Sequence, residues 1–392
     1  MRLLTCAGGT GGGVYPALAV LQEMKNNLAE ISDAEIRSET ATEMKSFHMH
    51  NQILWVGSIG GMEKDLVERS GIRFKSIPAA GLHGVGWRAL PGNLRQMVRG
   101  YKQAKHILDE FQPDALFFTG GYIAAPVALA GRNIPSLLFV PDIEPGLALK
   151  MVARFANRVA LSTEESRQYF PHRKGIVVTG YPTRKDLQKW DLATARRLFD
   201  LSSELPVLLV FGGSKGARSI NRALLLALPE LLQEMQVVHI SGDLDWPEID
   251  KAREELPTRT AYSERYKVFP YLHDEMGAAF TVADLVVSRA GASVLGEFPI
   301  FGLPAILVPY PYAWRYQQLN AQYLAQRGAA VIINDADLPV KLLTEVKKLI
   351  HDKDRLEKMS IAMHAFARLD GARAIANILK EMAISSNGER KS

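Results

Sequence analysis

The sequence predicts an α/β protein built from two Rossmann-like domains, each a parallel sheet with helices on both faces. Three observations predict it. Short, β-rich apolar runs alternate with helical patterns along the whole chain. Two such series each open in the same way, with strand, Gly-rich loop and helix. A polar stretch, Arg184 to Arg197, separates them, and a length of 392 residues accommodates two or three domains.

The first series begins with a strand over Arg2 to Ala7, a loop over Gly8 to Gly13 and a helix over Val14 to Asn26. Glu30 to Asn51 is polar without clear periodicity and reads as an exposed insertion or a loosely held helix. Ile53 to Val56, Ala115 to Phe118 and Ser136 to Val140 are apolar enough for buried strands, followed by the shorter Val159 to Leu161 and Ile176 to Val178. The linker falls around residues 180–200. Pro206 to Phe211 then opens the second series, which continues at Val237 to Ile240, Tyr266 to Val268, Leu285 to Val287, Ala305 to Val308 and Ala330 to Ile333. A helical region, Val340 to Ala383, precedes a polar tail, and its last helices are expected to cross back to the first domain. The expected division is 1–183, 184–370 and a C-terminal helix with tail, 371–392.

Composition narrows the class. Apolar residues make up 47% and charged residues 23%, the balance of a folded globular protein rather than a fibre or a disordered chain. One cysteine, Cys6, allows no intrachain disulfide and points to a reducing compartment. A net charge of +5 is mild for a nucleic-acid binder and suits an anionic substrate or membrane surface. No secretory signal is read at Met1 to Ala7, and no apolar run has the length of a membrane span.

The chemistry concentrates at three Gly-rich segments. Gly8-Gly9-Thr10-Gly11-Gly12-Gly13 lacks the Lys-Ser/Thr pair of a P-loop, yet its glycines let the backbone approach a ligand at a helix N-terminus. At the matching place of the second half, Gly212-Gly213-Ser214-Lys215-Gly216-Ala217-Arg218 presents amides and Ser214 to a diphosphate, with Lys215 or Arg218 adding charge. Ser288-Arg289-Ala290-Gly291-Ala292-Ser293-Val294-Leu295-Gly296-Glu297 again runs from strand to helix, and a Glu there can accept two bonds from a ribose diol. Gln317 and Asn320, after an aromatic and proline-rich turn, carry amides that both donate and accept, as sugar hydroxyls require. Asp243-Leu244-Asp245 reads as a turn rather than a metal site, and no cluster has zinc spacing.

Taken in order, these segments resemble glycosyltransferase family 28, of GT-B architecture, and within it the enzymes that add N-acetylglucosamine to lipid I. The resemblance also rests on Pro16-Ala17-Leu18-Ala19, Gly57-Ser58-Ile59-Gly60-Gly61-Met62-Glu63, Gly120-Gly121-Tyr122 with Pro126, Gly180-Tyr181-Pro182-Thr183-Arg184, Asn221, and Gly302-Leu303-Pro304-Ala305. It implies two Rossmann-like domains facing across a cleft. It also implies inverting transfer from UDP-N-acetylglucosamine, as a substrate, to a lipid-linked acceptor, lipid I to lipid II, with no cofactor and no metal. By resemblance Ser214 meets the diphosphate, Leu272 the uracil, Gly291 to Gly296 the nucleotide and Glu297 the ribose. Gln317 and Asn320 would read the sugar, Arg184 would lie close to the donor, and Thr10, Gly11 and Gly12 would face the cleft from the acceptor half.

Three places depart from the family pattern, one of them Tyr316, where the family usually has His before the sugar-binding Gln. Its first loop usually ends in His, where this chain has Gly13, and its His-Glu-Gln-Asn stretch aligns with Phe139-Val140-Pro141-Asp142. A base for the acceptor hydroxyl is therefore sought in Asp142 and Glu144, which follow a predicted strand. A different lipid or soluble acceptor, or a UDP-sugar-binding protein without transferase activity, stays open at this point. Val85, Trp87, Leu90, Leu94, Met97 and Val98, interleaved with Arg88, Arg95, Arg99, Lys102 and Lys105, form a basic amphipathic segment. It fits either an anionic membrane surface or a core-facing helix with a solvated basic side. The expected location is cytoplasmic, peripheral on the inner face of the cell membrane, with no nucleic-acid partner.

Overall fold

The computed structural model describes residues 1–8, 11–33, 53–61, 63–80, 90–213, 216–258, 260–312 and 315–389. Two compact units divide the chain: Met1–Arg184 together with Leu369–Ser392, and Lys185–Arg368. The polar stretch after residue 183 thus marks the crossing, with Arg184 still on the first unit.

The first unit contains β1 (Leu3–Cys6), α1 (Gly11–Asp33), β2 (Ile53–Ser58), α2 (Glu63–Arg69), β3 (Arg73–Ile77), α3 (Leu90–Phe111), β4 (Ala115–Phe118), α4 (Ala124–Ala130), β5 (Ser136–Val140), α5 (Leu147–Val152), β6 (Arg158–Leu161) and β7 (Ile176–Val178). These strands form one sheet in the order β3-β2-β1-β4-β5-β6-β7. Central β1 pairs in parallel with β2 and β4, Leu3 lying opposite both Ile53 and Ala115. Both faces of β1, β4 and β5 are buried, so their sequences are nearly unbroken apolar runs. Edge strand β3 reads Arg-Phe-Lys-Ser-Ile and is largely uncovered, so the apolar-run criterion passes over it.

Helix α1 starts at Gly11, three residues before the predicted start, with glycines forming its first turn. Pro16 sits inside it and has no N–H to donate to the Gly12 carbonyl. The Tyr181 hydroxyl points at that oxygen instead, at 3.5 Å.

The second unit contains α6 (Leu192–Leu198), β8 (Val207–Phe211), α7 (Arg218–Leu231), β9 (Gln236–Ile240), α8 (Trp246–Glu255), β10 (Tyr266–Phe269), α9 (Met276–Val282), β11 (Leu285–Ser288), α10 (Glu297–Phe301), β12 (Ala305–Leu307), α11 (Tyr316–Ala325), β13 (Ala330–Ile332), α12 (Leu338–His351) and α13 (Lys353–His364). Its sheet runs β10-β9-β8-β11-β12-β13, parallel throughout. Leu208, Val210, Ile220, Leu224, Leu285, Ile306 and Leu342 share its core. The helical region read as Val340 to Ala383 is three helices. Asp352 breaks it by capping α13, its carboxylate accepting the Arg355 N–H at 3.0 Å. The third piece, α14 (Gly371–Glu389), packs on α1, β4 and β5 of the first unit.

In both sheets the strand order reverses beside the first strand, at β1/β4 and at β8/β11. Open α/β sheets bind ligands outside the carboxyl ends of the strands at such reversals.

Candidate functional site

The expected donor residues of the second unit gather at the carboxyl ends of β8, β10, β11 and β12. After β8, Gly213 and Gly216 take φ of +88° and +76°, and the Gly216 N–H closes a turn on the Gly213 carbonyl at 2.9 Å. A side chain at Gly216 would strike the Ser241 carbonyl, so glycine is required there by space as well as by φ. Ser214 and Lys215 lie outside the described residues.

After β11, Gly291 is half-buried and a Cβ there would meet open space, so packing does not demand the glycine. Ser293 and Glu297 are half-buried, with Glu297 the first residue of α10. Ala292, Val294, Leu295 and Gly296 are buried. The three apolar side chains among them are core, and any contact with a ligand falls to their backbone.

Asn320 is fully buried and its Nδ2 donates to the Ala290 carbonyl at 3.1 Å. It thereby braces the loop after β11. Gln317 is half-buried, and its Oε1 accepts the Tyr310 N–H at 2.8 Å, which turns its amino group the other way. Leu272 is half-buried in the turn after β10. Arg289 does not reach outward: it pairs with Asp335 and donates to Ser219 Oγ at 2.8 Å, tying β11 to α7.

In the first unit, the loops after β1 and β4 close on each other. Gly121 has φ +84°, and a Cβ there would come within 2.7 Å of the Gly8 carbonyl. Thr119 Oγ1 donates to the Gly13 carbonyl at 2.6 Å, and a Cβ at Gly13 would lie 3.2 Å from the Thr119 carbonyl. Gly11 and Gly12 begin α1, while Thr10 lies outside the described residues.

Arg184 stacks over the Tyr15 ring at 5.3 Å, and Tyr181 meets Phe139 edge-on at 6.0 Å. The segment leaving the unit is thus fixed to the start of α1. Phe139 and Val140 are fully buried, so these two of the departing positions are hydrophobic core here.

The two expected bases differ. Glu144 is 4% exposed and pairs with Lys150 at 3.2 Å. Asp142 is half-buried, with its carbonyl accepting from Ser166 Oγ at 3.3 Å.

A third carboxylate is Glu63, the last residue of the Gly57 to Glu63 motif. It is fully buried at the ends of β1 and β2. Its Oε1 accepts from Ser58 N at 2.7 Å and Ser58 Oγ at 2.5 Å, while Oε2 has no hydrogen-bond partner among the described residues. Side chains at Gly8 or Gly61 would collide with it, which accounts for glycine at both. Together with burial, its charge raises the Cys6 thiol well above the usual range, so Cys6 is no nucleophile.

On α3, Leu94 and Val98 are exposed and lie beside exposed Arg95, Arg99 and Lys102. Ile59, Pro78, Arg99, Lys102 and Gln103 line a depression of about 490 Å³. Farther along, Ala104, Ile107 and Leu108 are buried, so the helix is core-facing at one end and uncovered at the other. Leu90 opens α3, and Val85 and Trp87 lie outside the described residues. Among the described residues no helix is long and apolar enough to cross a membrane, and no group of three or more His, Cys, Asp or Glu is placed to hold a metal.

The glycosyltransferase family 28 N-terminal domain matches residues 39–161 and the family 28 C-terminal domain matches residues 207–375. The chain belongs to glycosyltransferase family 28. A Roseiflexus sp. relative is 38% identical over 98% of this chain and 95% of its own length. One from Desulforamulus reducens is 34% identical over 97% of each. Both are named UDP-N-acetylglucosamine--N-acetylmuramyl-(pentapeptide) pyrophosphoryl-undecaprenol N-acetylglucosamine transferase.

The fold is that of a crystal structure of MurG from Acinetobacter baumannii, with a TM-score of 0.69 at 23% identity over 97% of this chain and 99% of that one. It is shared more widely: UDP-GlcNAc 2-epimerase from Neisseria meningitidis, bound to UDP-GlcNAc, gives 0.65 at 14% identity over 97% of this chain and all of that one. Fold alone therefore does not separate transferase from epimerase, whereas family membership does.

Proposed function

We propose that this family 28 transferase moves N-acetylglucosamine from UDP-N-acetylglucosamine to the undecaprenyl-pyrophosphoryl N-acetylmuramyl-pentapeptide acceptor, lipid I, giving lipid II. The observation that carries the reading is the end-to-end match, at 38% identity, to a protein named for that transfer. In the reaction the acceptor hydroxyl oxygen bonds to the anomeric carbon with inversion, the bond to the diphosphate oxygen breaks, and UDP leaves with the negative charge.

Asp142 suits the base better than Glu144, because Glu144 is buried and its carboxylate is engaged by Lys150. On the donor side, Glu297 and Ser293 are the half-buried side chains after β11 that suit the ribose and nucleotide. Gln317 turns its amino group toward the sugar, and Leu272 lies beside the uracil. Asn320 supports this arrangement through Ala290 rather than by touching the sugar. Ser214, with amides at the start of α7, stabilises the departing diphosphate without a metal or cofactor.

The enzyme works at the cytoplasmic face of the cell membrane, which holds its lipid acceptor. Leu94 and Val98 with Arg95, Arg99 and Lys102 supply the apolar and basic groups an anionic bilayer attracts.

The test is incubation with UDP-N-acetylglucosamine and a short-chain lipid I analogue, read by mass spectrometry. The expected product is the disaccharide lipid. Donor binding with no such product rejects lipid I as acceptor. Charge reversal at Arg95, Arg99 and Lys102 is expected to reduce sedimentation with anionic vesicles, and equal sedimentation of variant and parent rejects the membrane surface.

A further inference from the structure

A continuous chain of polar side chains runs beside the glycine loop of the second unit. Tyr266 Oη lies 2.7 Å from His239 Nδ1, and His239 Nε2 lies 3.0 Å from Asn221 Oδ1. Asn221 Nδ2 donates to the Ser241 carbonyl at 2.9 Å and to Asp245 Oδ2 at 3.0 Å. Arg218 Nε donates to Asp245 Oδ1 at 2.8 Å.

The chain has one direction. Asn221 Nδ2 is committed to two acceptors, so its Oδ1 accepts and His239 Nε2 carries the proton. Nδ1 then accepts the Tyr266 hydroxyl. Burial holds His239 neutral, with its pKa pushed down to about 3.

Two features link this chain to ligand chemistry. The Ser241 carbonyl held by Asn221 is the floor on which Gly216 rests, so the chain fixes the loop from below. The other is its far end. Arg218 is the first residue of the 14-residue helix α7, and its side chain is 62% exposed although its Asp245 partner is 6% exposed. The guanidinium is anchored through Nε, and among the described residues its two terminal nitrogens make no hydrogen bond, although its charge also acts on Glu248. An arginine held in this way is a pre-oriented fork for phosphate oxygens.

We propose that Asp245, Asn221, His239 and Tyr266 are positioning residues that hold Arg218 as an anion fork for the diphosphate of the nucleotide sugar. The inference rests on the donor reading above and assigns work within that site to four buried residues and one exposed one.

The test is calorimetry on the full chain with UDP and with uridine, which lacks the diphosphate. Arg218→Gln is expected to weaken UDP about tenfold, as loss of a charge-assisted bond does, while uridine affinity stays within about twofold. Asp245→Asn and Tyr266→Phe are expected to shift UDP in the same direction and leave uridine alone. In the Arg218→Gln background, Asp245→Asn is expected to add less than about twofold, because it acts through the missing arginine.

Equal loss for both nucleotides, an undiminished Asp245→Asn effect without Arg218, or no change in UDP affinity would overturn the proposal. Should Asp245→Asn fail to fold, Tyr266→Phe keeps the ring, removes only the hydroxyl and decides the question. A parent protein that binds neither nucleotide would overturn the donor reading, and this inference with it. Uridine binding without a diphosphate preference would overturn this inference alone.

Discussion

The two units place a glycine loop at the same point of the same kind of sheet, yet the polar groups around the loops are opposite. Beneath the first is Glu63, buried, with one carboxylate oxygen unpartnered among the described residues. Beside the second is Asp245, also buried, but matched by Asn221 and by Arg218, whose side chain is largely exposed. The glycines differ as well. Gly216 is forced by positive φ and by the Ser241 carbonyl, whereas Gly13 lies in ordinary helical backbone with its neighbour at 3.2 Å. A strand-loop-helix turn rich in glycine therefore does not by itself define an anion site; the side chains packed under it set the sign of the ligand it favours.

The comparison breaks first if the glycines prove interchangeable. Gly216→Ala is expected to cost about 3 kcal/mol or more, from strain at positive φ and collision with Ser241. Denaturant unfolding of the second unit checks it, and a loss below about 1 kcal/mol removes the distinction.

Next is Glu63→Ala, which strands the amide and hydroxyl of Ser58 and is expected to cost about 1–3 kcal/mol in the first unit. Unchanged unfolding would mean Glu63 holds nothing.

A smaller effect separates the units by pH. Because the folded pKa of His239 is depressed from 6.5 to about 3, the unfolded chain binds the extra proton in that window. The contribution is complete above pH 6.5 and is lost on acidification toward 3. Going from pH 6.5 to 5.5 should lower the stability of the second unit by about 1 kcal/mol, and His239→Gln should flatten that slope.

The smallest expected change is Gly13→Ala. A shift of a few tenths of an ångström at Thr119 is offset by better helix propensity, so unfolding should move by less than about 1 kcal/mol. A larger loss would make the first loop as exacting as the second.

Much of this architecture was legible in the sequence because parallel strands buried on both faces leave unbroken apolar runs, as in Ala115 to Phe118 and Val207 to Phe211. Arg73 to Ile77 was illegible for the converse reason, being an edge strand with three polar residues in five and no unbroken apolar run. The division of the last helical region turned on Asp352, a capping residue whose signal is local and was available.

The loops that carry the donor reading were legible as motifs, but their internal division was not. Nothing in Gly291 to Glu297 says which side chains turn into the core, nor in Asn320 that its amide goes to Ala290. The His239 chain was invisible because its members lie on β9, β10, α7 and the turn before α8, and only the sheet order brings them together.

Pro16 has one further consequence. A proline within a helix leaves a carbonyl open, and here Tyr181, from the segment that leads out of the first unit, points its hydroxyl at it. The two residues are therefore redundant in one direction only. With Ala at position 16 the helix closes its own ladder and the hydroxyl at 181 becomes dispensable, whereas with Pro16 in place Tyr181→Phe leaves the oxygen bare. A change near the start of the chain thus alters which changes are tolerated in the segment that leaves the unit.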